Sequence, residues 1–184
     1  MAGKFSRTYQ AYNTYFLLMI CFYIHSPMYN STSGILSAIF SVVKLYKRCK
    51  YGHNSDPVFI LGRDSHKSAF DALSLAECDS ILSQCYIDTN FNIPLGISYD
   101  SIHEALTVYG SRVCGVLLTR PTYQGVLTTT VELKRIIDLC HRYSVPVIID
   151  EAHGSHLRFL PTTNDVTYSG NCHIYLFDIH EHVV

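Results

Sequence analysis

The chain has 184 residues, 48% of them hydrophobic and 16% charged. It can therefore bury a core, it is not disordered, and one domain is its natural count. A net charge of −1 provides neither a basic stripe for nucleic acid nor an acidic tail. Seven scattered cysteines with no CxxC pair fit a reduced, cytoplasmic protein better than a disulfide framework or a zinc site. Of the ten histidines, His153 and His156 stand close to acidic residues, but no complete ligand set surrounds them and no metal is expected.

Residues Met1–Asn13 are polar and read, with the rest of segment 1–29, as a poorly assigned lead-in to a partial domain over 30–184. Tyr15–Ile24, YFLLMICFYI, is the one membrane-like stretch. A helix needs about 20 apolar residues to span a bilayer, so it is too short. His25-Ser26-Pro27-Met28 is a poor cleavage site for a signal peptide, and the run reads as a buried segment. Next, Asn30-Ser31-Thr32-Ser33-Gly34 leads into Ile35–Tyr46, where Ile35, Leu36, Ile39, Val42, Val43 and Tyr46 recur at helical spacing. The hydroxyl cluster falls at that helix's N-terminus. Lys44–Asp56 reads as a basic, polar link.

From Pro57 onward, short apolar runs alternate with helical patterns. Val58–Leu61 predicts a strand, Ser65–Glu77 a helix, Ile81–Ile87 a strand and Asp88–Gly96 a loop. Ser98–Tyr109 predicts a helix, with Ser101 and Glu104 as a capping box in its first turn. Val113–Leu118 is the next strand and Thr119–Thr128 a loop. Thr129-x-x-Glu132 caps the helix Val131–Tyr143, whose Leu133, Ile136, Ile137 and Cys140 share a face. Val145–Asp150 is a strand, and His173–Phe177 one more. This alternation predicts an α/β protein, a three-layer α/β/α sandwich with a mainly parallel sheet.

The segment Pro146–Gly154, PVIIDEAHG, organises the rest. Its β-branched run suits a strand buried on both faces, which puts Asp150 at the carboxyl end, where open α/β sheets collect ligands. The plain alternative is that Asp150 and Glu151 merely open a solvated loop. Three more clusters fall at the same edge of such a sheet. Ser31-Thr32-Ser33 opens a helix and suits a phosphate, or is only an N-cap. His66, in Arg63–Ser68, follows a strand and suits stacking on an aromatic ligand, or is only a surface residue. Thr119–Gly125, TRPTYQG, is a turn-forming loop with or without a function.

The order N-S-T-S-G-I, H-K-S, R-P-T-Y-Q-G and V-I-I-D-E-A-H-G resembles the Orn/Lys/Arg decarboxylases, from about Asn30 to Pro161. In that family the matching segments read approximately NGSTSG, HKS, TSPTYxG and DEAHGxHxxFxP. The resemblance implies a large domain of the pyridoxal-phosphate-dependent fold type I class, here incomplete, in a homo-oligomer acting on lysine, arginine or ornithine. It implies that Asp150 pairs with the pyridine nitrogen, that Ala152 and His66 pack on opposite ring faces, and that Ser31, Thr32 and Ser33 hold the phosphate. His153, the one catalytic candidate, and Thr122 would sit near the phenolic oxygen or the substrate. Ser31–Ser33, His66, Thr122 and Asp150 are then expected to line one cleft.

Two departures from the family pattern stand out. The family has a glycine between the asparagine and the first hydroxyl, whereas Ser31 follows Asn30 directly. The family's Schiff-base lysine lies beyond the aspartate in an S-x-H-K motif, whereas Lys134 is the last lysine here. Lys67, in Ser65-His66-Lys67, imitates that motif but precedes the aspartate. The expectation is a truncated chain, inactive as it stands and without covalent cofactor. Met19–Tyr29 and Lys47–Ser55 read as insertions that lengthen the links around the phosphate cluster. The competing readings are a non-catalytic relic of the fold and a DEAH-type nucleotide-binding protein; the second needs GxxxxGK[ST], which is absent.

Overall fold

The computed structural model describes residues 31–49, 56–154, 157 and 174–176. The apolar run Tyr15–Ile24 and the proposed insertion Met19–Tyr29 lie outside these. Helix α1 is Ser31–Cys49, followed by β1 (Val58–Gly62), α2 (Lys67–Leu75) and β2 (Asp79–Ser83). Then come β3 (Cys85–Asp88), β4 (Ile93–Ile97), α3 (Tyr99–Tyr109) and a 3₁₀ turn at Gly110–Arg112. The rest is β5 (Val113–Thr119), α4 (Thr130–Arg142), β6 (Val147–Asp150) and β7 (Ile174–Leu176).

Five strands form one parallel sheet in the order β2-β1-β5-β6-β7. The continuous apolar sequences of β1, β5 and β6 are buried along their whole length, as expected for strands covered on both faces. One face carries Phe59, Leu61, Cys114, Leu117 and Ile148, packed against α1 and α2. The other carries Ile60, Val116, Leu118, Val147 and Ile149, packed against α3 and α4. This is the expected three-layer sandwich.

Each of α2, α3 and α4 begins at a side-chain cap. His66 Nδ1 accepts from Ser68 N, Ser98 Oγ from Ser101 N, and Thr129 Oγ1 from Glu132 N. The cap at Thr129 is the one predicted. Ser101 is not the cap, because the helix starts earlier with Ser98 in that role; the Ser101 hydroxyl accepts from Gln84 N at 2.9 Å. That bond also explains a second departure. Ile81–Ile87 is not one strand: Gln84 gives its N–H to Ser101 and its carbonyl to Ser98 N (3.0 Å), which draws it out of the ladder. The chain leaves the parallel sheet at Ser83 and forms an antiparallel hairpin, in which β3 takes the end of the predicted strand and β4 lies mostly in the predicted loop 88–96. Asp88 Oδ1 closes the hairpin turn by accepting from Asn90 N and Phe91 N.

The direction of α1 follows from its last turn. Lys47 Nζ donates to the carbonyls of Ala76 and Glu77 beyond the end of α2, and Tyr46 Oη to Ser111, just before β5. These groups lie at the amino edge of the sheet, so the first turn of α1 lies at the carboxyl edge. The same bonds correct the start of the predicted insertion, since Lys47–Cys49 continue the helix; positions 50–55 lie outside the described residues.

Candidate functional site

The sheet's connections reverse between β1 and β5. The chain leaves β1 for α2 on one face and leaves β5 for α4 on the other, which opens a crevice at the carboxyl edge. The loop after β1 brings His66, the loop after β5 brings Thr122 and Tyr123, and β6 ends at Asp150. Side chains alternate along a strand. With Ile148 on the α1–α2 face and Ile149 on the other, Asp150 falls on the α1–α2 face. Thr119 does likewise after Leu117 and Leu118. Both α1 and α2 start at this edge, so Ser31–Ser33 and His66 share an edge and a face with Asp150.

Asp150 is 3% exposed, and its Oδ1 accepts from Ala152 N at 3.1 Å. Burial pushes its carboxyl above the ordinary carboxylate value. The Ala152 N–H and the charges of His66 and His153 pull the other way without overcoming it. A group in that state is served by an added cation.

The His66 and Tyr123 rings stack with centroids 6.4 Å apart and planes 22° from parallel. Tyr123 also meets His153 edge-on at 4.9 Å. The aromatic series His66–Tyr123–His153 thus crosses the crevice beside Asp150. His66 Nδ1 accepts from Ser68 N at 3.2 Å and lies 2.7 Å from Ser68 Oγ, which fixes the ring's orientation. Thr122 is buried, and its hydroxyl accepts from Val126 N at 3.2 Å, so it shapes its own loop.

Some features of this edge escaped the sequence reading. Arg120, 1% exposed, pairs through Nη1 with Glu151 Oε1 at 2.9 Å, and its Nε donates to Thr128 O. Burial raises the Glu151 carboxyl; the Arg120 hydrogen bond and charge oppose this, and the Asp150 charge adds to it. An arginine between Thr119 and Pro121 shows no buried partner in a linear sequence. Among the described residues, the buried side-chain hydroxyls without a hydrogen-bond partner are Ser65 Oγ, Ser83 Oγ and Thr119 Oγ1. Ser83 and Thr119 end their strands and Ser65 follows β1, so all three lie at the carboxyl edge, where a ligand could satisfy them. Tyr123 was visible in TRPTYQG, but its link between two histidines was not. No group of three or more His, Cys, Asp or Glu among the described residues is placed to hold a metal, and no described helix is long and apolar enough to cross a membrane.

Residues 28–172 match the Orn/Lys/Arg decarboxylase major domain. The chain belongs to this family. It is 38% identical over 100 residues to an arginine decarboxylase of Bacillus subtilis (strain 168), covering 54% of this chain and 20% of that protein. It is 33% identical over 126 residues to the uncharacterized protein YaaO of the same organism, covering 68% of this chain and 23% of the relative. The matched part is thus about a fifth to a quarter of these relatives' length. In three dimensions it is similar to a sphingosine-1-phosphate lyase of Burkholderia pseudomallei K96243, with TM-score 0.58, 15% identity, and coverage of 85% of this chain and 36% of that one. An N-succinyldiaminopimelate aminotransferase of Mycobacterium tuberculosis gives TM-score 0.51 at 18% identity, covering 67% and 28%. These likenesses establish the fold.

Proposed function

We propose that this chain is the cofactor-binding part of a pyridoxal-phosphate-dependent decarboxylase of basic amino acids, cytoplasmic and homo-oligomeric in its full-length form. The observation that carries the reading is Asp150, a buried carboxylate at the carboxyl end of an interior parallel strand, on the face where two helices begin. Family membership and the arginine decarboxylase relative support the reaction class.

The residues fit the cofactor. The raised carboxyl of Asp150 gains from a protonated ring nitrogen, and the unpartnered hydroxyls of Ser65 and Thr119 are available to polar ligand atoms. In this reading Ser31, Thr32 and Ser33 bind the phosphate with the N–H groups of the first turn of α1. His66 lies on one ring face and Ala152 on the other, with Ala152 N–H also orienting the Asp150 carboxylate. When bound, the cofactor supplies an electron sink for the bond broken at the substrate's α-carbon. Asp150 keeps the ring nitrogen protonated, Thr122 and His153 approach the substrate side, and Tyr123 holds the His153 ring edge-on.

No lysine follows Lys134 in this polypeptide, and the proposal is that it holds the cofactor without a covalent bond and does not turn over alone. The test is incubation of the purified chain with pyridoxal phosphate, borohydride reduction and mapping of modified lysines, alongside assay of carbon dioxide release from arginine, lysine and ornithine. Neither a stoichiometric adduct nor gas release is expected. An adduct at Lys67 accompanied by gas release would overturn the non-covalent, inactive assignment.

A further inference from the structure

The Arg120–Glu151 pair is closed at 2.9 Å, with side chains 1% and 8% exposed. Arg120 holds several groups at once. Its backbone N–H donates to the Asp150 carbonyl at 2.9 Å, its Nη1 to the Glu151 carboxylate, and its Nε to Thr128 O at the far end of the loop bearing Thr122 and Tyr123. A lysine carries its three donors on a single nitrogen and lacks the planar fork that lets Nη1 and Nε reach separate acceptors. Two adjacent buried carboxylates, Asp150 and Glu151, would otherwise repel one another in a medium that screens poorly.

Building on the cofactor reading above, we propose that Arg120 is a positioning residue: it neutralises Glu151 and holds the end of β6, so that Asp150 stays ionised and aimed at a cationic ring nitrogen. Among the described residues, the charged or titratable groups around Asp150 are His66 from the start of α2, His153 and Glu151 from its own loop, and Arg120 from the loop after β5. If Arg120 is lost, the charge of Glu151 acts on Asp150 and disfavours its ionisation. If Glu151 alone is neutralised, the guanidinium charge is left beside Asp150 and competes with the ligand's cation. Removal of both should restore most of the balance. A pair that served only the fold would lower stability without this opposition of signs.

The experiment uses pyridoxamine 5′-phosphate, which keeps the ring nitrogen and phosphate but cannot bond covalently to lysine. Its affinity for the full chain is measured by fluorescence from about pH 4 to about pH 8, a range that runs upward from the ordinary carboxylate value. The variants are Arg120→Met, Glu151→Gln, the double substitution, and Asp150→Asn as the reference. Arg120→Met should move the acid-side midpoint of binding to higher pH and weaken binding near neutrality by roughly fivefold or more. Glu151→Gln should move the midpoint to lower pH, and the double variant should return towards the parent. Should Arg120→Met fail to fold, the Glu151→Gln shift and its reversal in the double variant carry the test. Binding that depends on Asp150 but has unmoved midpoints in these variants overturns the positioning role alone. No binding by the parent, or binding indifferent to Asp150→Asn, overturns the cofactor reading and this inference with it.

Discussion

Thr119 and Asp150 are ladder partners at the last residues of β5 and β6, with side chains on the same face of the sheet. One ends in a buried hydroxyl without a partner, the other in a carboxyl that burial has pushed upward. Both states are costly in the free chain and both are relieved by a polar, cationic ligand. Thr119→Val removes the hydroxyl at nearly constant shape. We expect it to leave stability unchanged or raise it by up to about 1 kcal/mol, while lowering pyridoxamine phosphate affinity several-fold. Thermal melts and fluorescence titration on the same samples check both halves; a loss of stability with unchanged affinity refutes the ligand role.

Asp150→Asn should stabilise the ligand-free chain and abolish ligand binding. The folded-state carboxyl lies above its unfolded value, so folding favours the protonated form. Its contribution to stability is complete below the ordinary carboxylate value and is lost as pH rises through the raised one. At neutral pH the asparagine variant should therefore melt higher, by roughly 0.5–2 kcal/mol in stability. The fall in stability on going from mildly acidic to neutral pH should shrink but not vanish, because Glu151 is shifted in the same direction. Melting temperature against pH for both proteins decides the matter.

His66 has two separable jobs. Its Nδ1 caps α2, and its ring presents a face to the crevice. His66→Asn retains a capping side chain and removes the ring; His66→Ala removes both. We expect the alanine variant to lose about 1 kcal/mol of stability and the asparagine variant much less. Both should lose ligand affinity to a similar extent, by about 1–3 kcal/mol if a ring stacks there as bases stack on aromatic side chains. Equal stability losses in the two would show that the cap is unimportant.

Gly115 serves as the control at the other end of β5. A Cβ there would come within 2.5 Å of Phe59 Cε2 and 3.0 Å of Val42 Cγ1, between the sheet and α1. Gly115→Ala should cost roughly 1–3 kcal/mol through overpacking. It should leave the ligand affinity of the folded fraction unchanged, which a titration below the melting transition would show.

The strands and helices that build the core were legible because hydrophobic period is a local property. Val58–Leu61, Val113–Leu118 and Val145–Asp150 read as buried strands from their unbroken apolar runs, and Leu133, Ile136, Ile137 and Cys140 as one helix face. Thr129 and Glu132 announced a helix start because a cap and its recipient lie three residues apart. The placement of Asp150 at a strand's carboxyl end needed only the point where the apolar run stops. Long-range bonds decided the remainder. Gln84 leaves the sheet because its backbone bonds go to Ser98 and Ser101, which follow it by more than a dozen residues and belong to the start of another element. Arg120 is buried because Glu151, 31 positions away, meets it across the crevice. The shared face of Thr119, Asp150, His66 and Ser31–Ser33 depends on strand register and on the direction in which α1 runs. Local pattern sets which residues can be buried; the tertiary fold alone sets which charge meets which, because those partners come together only when the sheet is assembled.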